Sequence, residues 1–347
     1  MNTDLNDNHN SDNIDIDHVK IGGGGQSFRA KNHNCPICDS AGLKFVFTNY
    51  DDRFGYPNDY RIEQCTCCGH VFVNEKMTPA MLADMYTNYY PRNQISLESF
   101  TPFKEKNKII AWIDGDGAKA HTHIPHNVRV LDIGCGSCEA LGYHRNRGCD
   151  VYGVDADDNA SRIGKKYGLN VKSGMFDPDD YETDFFDFIT LNDVLEHVID
   201  PLETLQNARK VLKPSGKIVA TLPNVNSVGR LVFRNYWVGW HTPYHLHFFS
   251  RKSLQTVAAR AELKLHRLHF CTTYQRTLAQ IGFIFARSPK GQKTAFTNLY
   301  GKFDPANEKK LSVKMYKFLE KTRLLSPVTR LFDTFHIGDS MTAIFEK

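Results

Sequence analysis

The chain has 347 residues, a formal charge of +4, 24% charged residues and 41% hydrophobic residues. That is the make-up of a soluble globular protein with room for one large or two modest cores, and so small a charge argues against a nucleic-acid partner. No run of about eighteen uninterrupted apolar residues occurs, so no membrane-spanning helix is expected. The amino-terminal residues lack the basic and apolar regions of a secretory signal. Nine cysteines, an odd number with several in Cys-x-x-Cys pairs, point to a reducing compartment and metal ligation rather than a disulfide framework. A cytoplasmic protein is expected.

Residues 1–31 are rich in Asn, Asp and Gly and include Gly22–Gly25. Such a stretch buries too little apolar area to offset its ordering, so a disordered tail is expected. Cys35-Pro-Ile-Cys38 follows, and then Cys65-Thr-Cys-Cys68-Gly69. Each pair forms a knuckle that aims two thiolates at one ion, and two knuckles make a closed four-thiolate zinc site. Cys67 competes for a place in it, but Gly69 after Cys68 supplies the knuckle turn and favours Cys65 and Cys68. Strands are expected at Lys44–Phe47 and Tyr60–Glu63, completing a small module over 32–76 that resembles a zinc ribbon. The connector, 77–127, should hold a short helix around Met81, Leu82 and Met85, an aromatic cluster at Tyr86, Tyr89 and Tyr90, and a second helix over Lys104–Ile113. Residues 114–127, with His121, His123 and His126, read as a solvated loop.

From residue 128 short apolar strands alternate with helices, which implies a parallel, doubly wound sheet with ligands at the carboxyl ends of its strands. Val128–Ile133 runs into Asp132-Ile133-Gly134-Cys135-Gly136, a glycine turn that lets backbone approach a cofactor. Asp155 ends the second strand, at the separation expected of an acid that binds both hydroxyls of a ribose. A dinucleotide would need a third glycine at the helix start, where Glu139 stands, and a carboxylate there opposes a pyrophosphate. The Asp-x-Gly-x-Gly motif, Asp155 and the later Leu195-Glu196-His197-Val198 resemble the class I S-adenosylmethionine (SAM)-dependent methyltransferases. The third glycine common in that family is Cys138 here, which is tolerable in an ordinary helical conformation. The cysteine-rich module resembles the amino-terminal element of bacterial methyltransferases from sugar and polysaccharide pathways.

The resemblance implies a seven-stranded, mostly parallel sheet over 128–347. It also implies SAM contacts from Asp132, Gly134, Cys135, Gly136, Asp155, Met175, Phe176, Asn192 and Asp193. Glu196 and His197 fall in the turn before a helix that Asp200-Pro201 begins. His197 is the expected general base, since imidazole titrates near neutrality. His245, in a segment resembling the family's Pro-Arg-His-Leu-x-x-Phe-Ser, is the second candidate; Tyr244 replaces the Arg. The long aromatic loop 225–249 reads as a lid, and Tyr86, Tyr90, Trp240 and Tyr244 are candidate acceptor contacts. Lys213–Gly216 reads as a turn before a strand at Lys217–Leu222. A helical insertion over 275–338 precedes the last strand and is basic and amphipathic. A lid, a homodimer interface and a peripheral membrane contact are its three readings. The expected function is methyl transfer to a small-molecule acceptor, a sugar of a nucleotide- or lipid-linked glycan precursor. A quinone-precursor or other aromatic or lipid acceptor, and a SAM-binding scaffold without turnover, are the alternatives.

Overall fold

Three antiparallel strands follow the first cysteine knuckle: β1 (Leu43–Tyr50), β2 (Asp59–Cys65) and β3 (Val71–Val73). The computed structural model describes residues 33–90, 100–116, 119–292 and 311–347, so the expected tail and part of the expected insertion lie outside the described residues. Strand β3 has no counterpart in the sequence reading, because three residues are too few for alternation to register. Gly69, with φ of 75°, makes the turn after the second knuckle, a conformation open to glycine at no steric cost. Helix α1 (Pro79–Asp84) starts where the Thr78 side chain accepts from the Met81 amide. It widens into a π-helical turn over Met85–Tyr89. Helix α2 (Lys108–Asp114) starts later than expected, because the Asn107 side chain caps its first turn.

The histidine-bearing loop is more ordered than its polar composition implies. Ala120–His123 forms a 3-10 turn, Ala120 and Ile124 are buried, and the Ala120 amide donates to Thr221 Oγ1 at 3.1 Å. His123 stacks on His269 with ring centres 4.7 Å apart. Two small apolar anchors, Ala120 and Ile124, hold the loop in place.

The alternation then runs β4 (Arg129–Ile133), α3 (Glu139–Arg145), β5 (Asp150–Asp155), α4 (Asp158–Tyr167), β6 (Asn170–Ser173), β7 (Phe186–Asn192), α5 (Pro201–Val211) and β8 (Leu212–Pro223). After it come α6 (Val228–Phe233), β9 (His247–Phe248), α7 (Arg251–Arg260), β10 (Lys264–Cys271), α8 (Tyr274–Ala286), α9 (Leu311–Thr322), α10 (Ser326–Thr334) and β11 (Ser340–Glu346). Seven strands join in the order β10-β11-β8-β7-β4-β5-β6, with β11 antiparallel to both of its neighbours and β4 to β8 parallel. The order reverses between β4 and β7, the crevice where ligands bind in open α/β sheets. Strand β8 starts at Leu212, opposite Phe186, and resumes opposite Phe188 after a bulge, so the expected Lys213–Gly216 turn is part of the strand. Leu131, Ile189, Leu191, Ile218 and Ala220 are buried with α5 and α7 on one face, and Val130, Val151 and Val219 with α3 and α4 on the other. Strands covered on both faces read as continuous apolar runs, and that made them legible.

Segment 225–249 is not a free lid. It contains α6 and a 3-10 turn, and its β9 pairs with β3 to complete a second sheet ordered β1-β2-β3-β9. Phe54, Tyr60, Trp237, Trp240, Tyr244 and Phe248 form one buried cluster between the cysteine module and this segment. The expected boundary near residue 76 therefore does not interrupt the sheet.

Candidate active site

The glycine turn lies at the carboxyl end of β4. Gly134 has φ of 74°, and a Cβ there would come within 2.5 Å of Val194, so only glycine fits. Gly136 has φ of 49° and open space where a Cβ would point, room through which a ligand could reach the backbone. Asp155 accepts the Gly136 amide at 2.8 Å and the Asp157 amide at 2.8 Å, so this acid and the turn are one hydrogen-bonded unit. Its carboxylate keeps further lone pairs for ligand hydroxyls. Asp132 is buried and accepts from Thr190 Oγ1 at 2.6 Å; burial raises its pKa to about 7.

Two expectations for this turn are corrected. Cys138 is not in an ordinary helical conformation: its φ is 60°, the left-handed region glycine would occupy, so the missing glycine strains this position. The Cys135 side chain is buried, with its Sγ 4.0 Å from that of Cys138, so only backbone at Cys135 can face a cofactor. Met175 is 74% exposed on the loop after β6, and Phe176 stacks on Tyr181 with ring centres 6.2 Å apart. Asn192 and Asp193 are open to solvent where β7 ends.

Beyond β7 the chain turns sharply, with Asp193 at φ 54° and the His197 amide donating to the Val194 carbonyl at 2.9 Å. The Glu196 carbonyl accepts from the Leu246 and His247 amides at 2.8 and 3.1 Å, which docks the 241–249 segment onto this turn. His197 Nδ1 is 2.9 Å from the Tyr244 carbonyl and 3.0 Å from Tyr86 Oη. A carbonyl only accepts, so Nδ1 carries the proton and Nε2 keeps the lone pair. His245 Nδ1 faces the Gly239 carbonyl at 2.8 Å, leaving its Nε2 4.0 Å from Glu196 Oε1. The His197 and His245 rings lie 4.6 Å apart.

Burial sets the charge states. It lowers the His197 pKa to about 4 against a partly offsetting bond to the Tyr244 carbonyl. It takes His245 well below the usual imidazole range, with His197 adding to the effect. Burial, with the Asp193 charge, pushes Glu196 well above the usual carboxylate range. Burial thus disfavours the charged form of all three side chains, and Glu196 Oε2 has no partner among the described residues.

The structure brings Tyr86 and Tyr90 to this cluster: Tyr86 bonds to His197, and Tyr90 packs 5.2 Å from Tyr244, centre to centre. Trp240 is different. It is 2% exposed, its ring lies 4.9 Å from Phe47 and 4.7 Å from Phe248, and its Nε1 donates to the Arg234 carbonyl at 2.8 Å. It packs in the aromatic cluster against the four-stranded sheet and is withdrawn as an acceptor contact. Tyr244 is also buried, and its carbonyl rather than its ring meets His197. Sequence reasoning missed His241, a buried histidine 4.9 Å from His245 with its Nε2 unpartnered among the described residues. It also missed Asp51, which accepts the Arg53, Phe54 and Tyr56 amides and shapes the loop beneath Tyr244. The four-residue spacing of His241 and His245 was the available signal for the first; nothing local marks the second.

At the other end of the module, the sulfurs of Cys35, Cys38, Cys65 and Cys68 all lie within 4.8 Å of one another, and Cys67 stays exposed. Cys35 and Cys68 are 3.6 Å apart, and Cys38 and Cys65 are 3.5 Å apart. A tetrahedral zinc with Zn–S of about 2.3 Å needs sulfurs roughly 3.8 Å apart. The donor set fits a closed zinc site. At Cys65 burial opposes ionisation, but bonds from the Cys68 and Cys67 backbone and from neighbouring thiols outweigh it and lower the pKa to about 7.

An open α/β sheet with a glycine turn, a ribose-type acid and a histidine cluster at its switch point defines a cofactor-dependent enzyme class. The family described as "Methyltransferase domain" matches residues 94–268, just over half of the chain, and the chain belongs to that family. It is similar to a "Ubiquinone biosynthesis O-methyltransferase" of Paraburkholderia phymatum, 31% identical over 137 residues, 37% of this chain and 56% of the relative. It is also similar to one of the same name from Coxiella burnetii, 35% identical over 106 residues, 28% of this chain and 44% of the relative. The chain spans about half the length of the curated relatives it matches. Among solved structures, a SAM-dependent methyltransferase from Archaeoglobus fulgidus covers 78% of this chain and 100% of its own, with 18% identity and a TM-score of 0.39.

Proposed function

We propose that this chain transfers the methyl group of SAM to a hydroxyl of a small-molecule acceptor. The observation that carries the reading is the hydrogen bond from the Gly136 amide to Asp155, which ties an open glycine turn to an acid suited to ribose hydroxyls. The turn at Gly134 and Gly136 would pass the methionine part, and Asn192 and Asp193 would stand near its end. His197 Nε2 would take the acceptor proton while the acceptor oxygen displaces the sulfonium sulfur from the methyl carbon. The products are the methylated acceptor and neutral S-adenosylhomocysteine. Glu196 and His245 back His197, with His245 the second candidate for the base. Four thiolates at Cys35, Cys38, Cys65 and Cys68 would hold a structural zinc, with no open position for chemistry.

The acceptor we propose is a sugar of a nucleotide- or lipid-linked glycan precursor, on the strength of the cysteine module and the His245 segment. The names of the curated relatives support a second reading, an aromatic acceptor of a quinone pathway. A screen with methyl-labelled SAM against nucleotide sugars, lipid-linked sugars and phenolic quinone precursors tests both. Label in none of them, with SAM still bound, would point to a binding protein without turnover. Protection of the fold by NAD rather than SAM in a melting assay would overturn the cofactor assignment.

A further inference from the structure

A guanidinium taken out of bulk water needs a carboxylate or other acceptors, because an unmet charge there is costly. Other arginines of the fold obey this: Arg53 and Arg287 share Asp52 at 3.6 and 3.1 Å, and Arg330 pairs with Asp333 at 3.0 Å. Arg276 is the exception. It is partly buried and makes no ion pair among the described residues. Its Nη1 donates to Ser340 Oγ at 2.9 Å, while its Nε is buried without a partner among those residues.

The fold fixes where this side chain stands. Arg276 lies in the first turn of α8, its amide capped by the Thr273 side chain. Ser340 begins β11 opposite Pro223, the last residue of β8, so the guanidinium is held at the carboxyl edge of the sheet. Gln280, one turn further along the same helix face, accepts the Val238 amide at 2.7 Å and donates to the Tyr236 carbonyl at 2.8 Å. That seats this face of α8 against the segment that carries His241 and His245. The electrostatics agree. Burial is the largest cause at each group, and beyond it the Arg276 charge favours the ionised forms of Asp193 and Glu196 and the neutral forms of His241 and His245.

Three buried polar atoms therefore lack partners around one site: Arg276 Nε, Glu196 Oε2 and His241 Nε2. Buried polar groups are otherwise almost always bonded. Arg276 can only donate, so its missing partner is an acceptor, and a guanidinium fork matches the oxygens of a phosphate. Glu196 and His241 suit groups that both donate and accept, as sugar hydroxyls do. SAM brings a net positive charge of its own, so it supplies no counterion for Arg276. A neutral phenol would leave the arginine unmet, and a phosphate-linked sugar would not.

We propose that Arg276 forms a phosphate subsite beside the histidine cluster. On the methyl-transfer reading above, on which this step rests, the subsite takes the diphosphate of the acceptor and selects a phosphate-linked sugar over a neutral aromatic ring.

The full chain, saturated with S-adenosylhomocysteine, is titrated calorimetrically with inorganic pyrophosphate and with uridine diphosphate. The wild type should bind both. Arg276→Gln should weaken them by roughly tenfold or more, and Arg276→Lys, which keeps the charge and loses the fork, should fall between. The lysine variant keeps the test valid should the glutamine variant not fold. Where a diphosphate-linked sugar accepts label from SAM, Arg276→Gln should raise its KM by a like factor and lower kcat by less than about threefold. No binding by the wild type, or unchanged binding by the variants, overturns the proposal. So does an equal loss of S-adenosylhomocysteine affinity, which would place Arg276 on the cofactor's carboxylate. Weakened pyrophosphate binding with label on phenols alone would keep the phosphate subsite and overturn the sugar acceptor instead.

Discussion

The tautomer of His197 is set by a peptide carbonyl. The Tyr244 carbonyl holds its Nδ1 proton, and burial keeps the ring neutral down to about pH 4. His197→Ala should cost roughly 100-fold or more in rate with SAM affinity little changed, measured by label transfer and by calorimetric titration of SAM. The acid limb of the rate profile should fall near pH 4 rather than near 6.5; a midpoint at the ordinary imidazole value would place the base elsewhere. Asp155→Ala acts on binding instead, weakening SAM by roughly tenfold or more because a charged acceptor is lost and the Gly136 amide with it. His144 offers a test by stability. It is buried, neither ring nitrogen has a partner among the described residues, and burial lowers its pKa to about 3. Unfolded, it takes up a proton below about 6.5, so its neutral folded form loses stability as pH falls from there toward 3. The stability gained by His144→Leu should therefore grow on acidification, by up to about 1.4 kcal/mol per pH unit, in denaturant titrations run across that window.

Elements matter here through what they join. Strand β9 is two residues long, yet through β3 it binds the 225–249 segment to the cysteine sheet. Trp240 fills the space behind that pairing. Trp240→Ala should cost about 3–5 kcal/mol of stability by chemical denaturation, and a comparable loss of activity should follow only where the fold loosens, because the ring meets no part of the proposed reaction. The sequence reading of this segment as a lid was reasonable from length and aromatic content. It failed because aromatic residues serve a core and a binding face equally well, and only the β3–β9 pairing distinguishes the two.

At the scale of the molecule, the cysteine site and the histidine cluster are two ends of one structure. Tyr86, just after the module, bonds to His197, and the Asn49 side chain donates to Thr242 Oγ1 at 3.0 Å. Freshly purified protein should hold roughly one zinc per chain by elemental analysis. Removing it with a chelator should lower the melting temperature of the whole chain in a single calorimetric transition and reduce activity with it. Two separate transitions, with the catalytic part unaffected, would show the module to be independent.

The sequence by itself determined the parallel core, the glycine turn, the acid that ends the strand beside it and the thiol set. Each depends on a local pattern: apolar runs between helices, φ angles that only glycine takes freely, knuckles closed by a turn residue. It also placed Glu196 and His197 in a turn, since Asp200-Pro201 is a local helix start. Tertiary structure alone decided the rest. The proton on His197 is assigned by a carbonyl 47 residues away, Tyr86 arrives from 111 residues away, and His241 gains meaning only beside His245. Cys138 was tolerable in sequence only on condition of an ordinary helical conformation, and the backbone places it in the left-handed region. The exposed Val328 and Leu331 of α10 look in sequence like the core face of any amphipathic helix, because periodicity fixes that one face is apolar and only packing decides which face is buried.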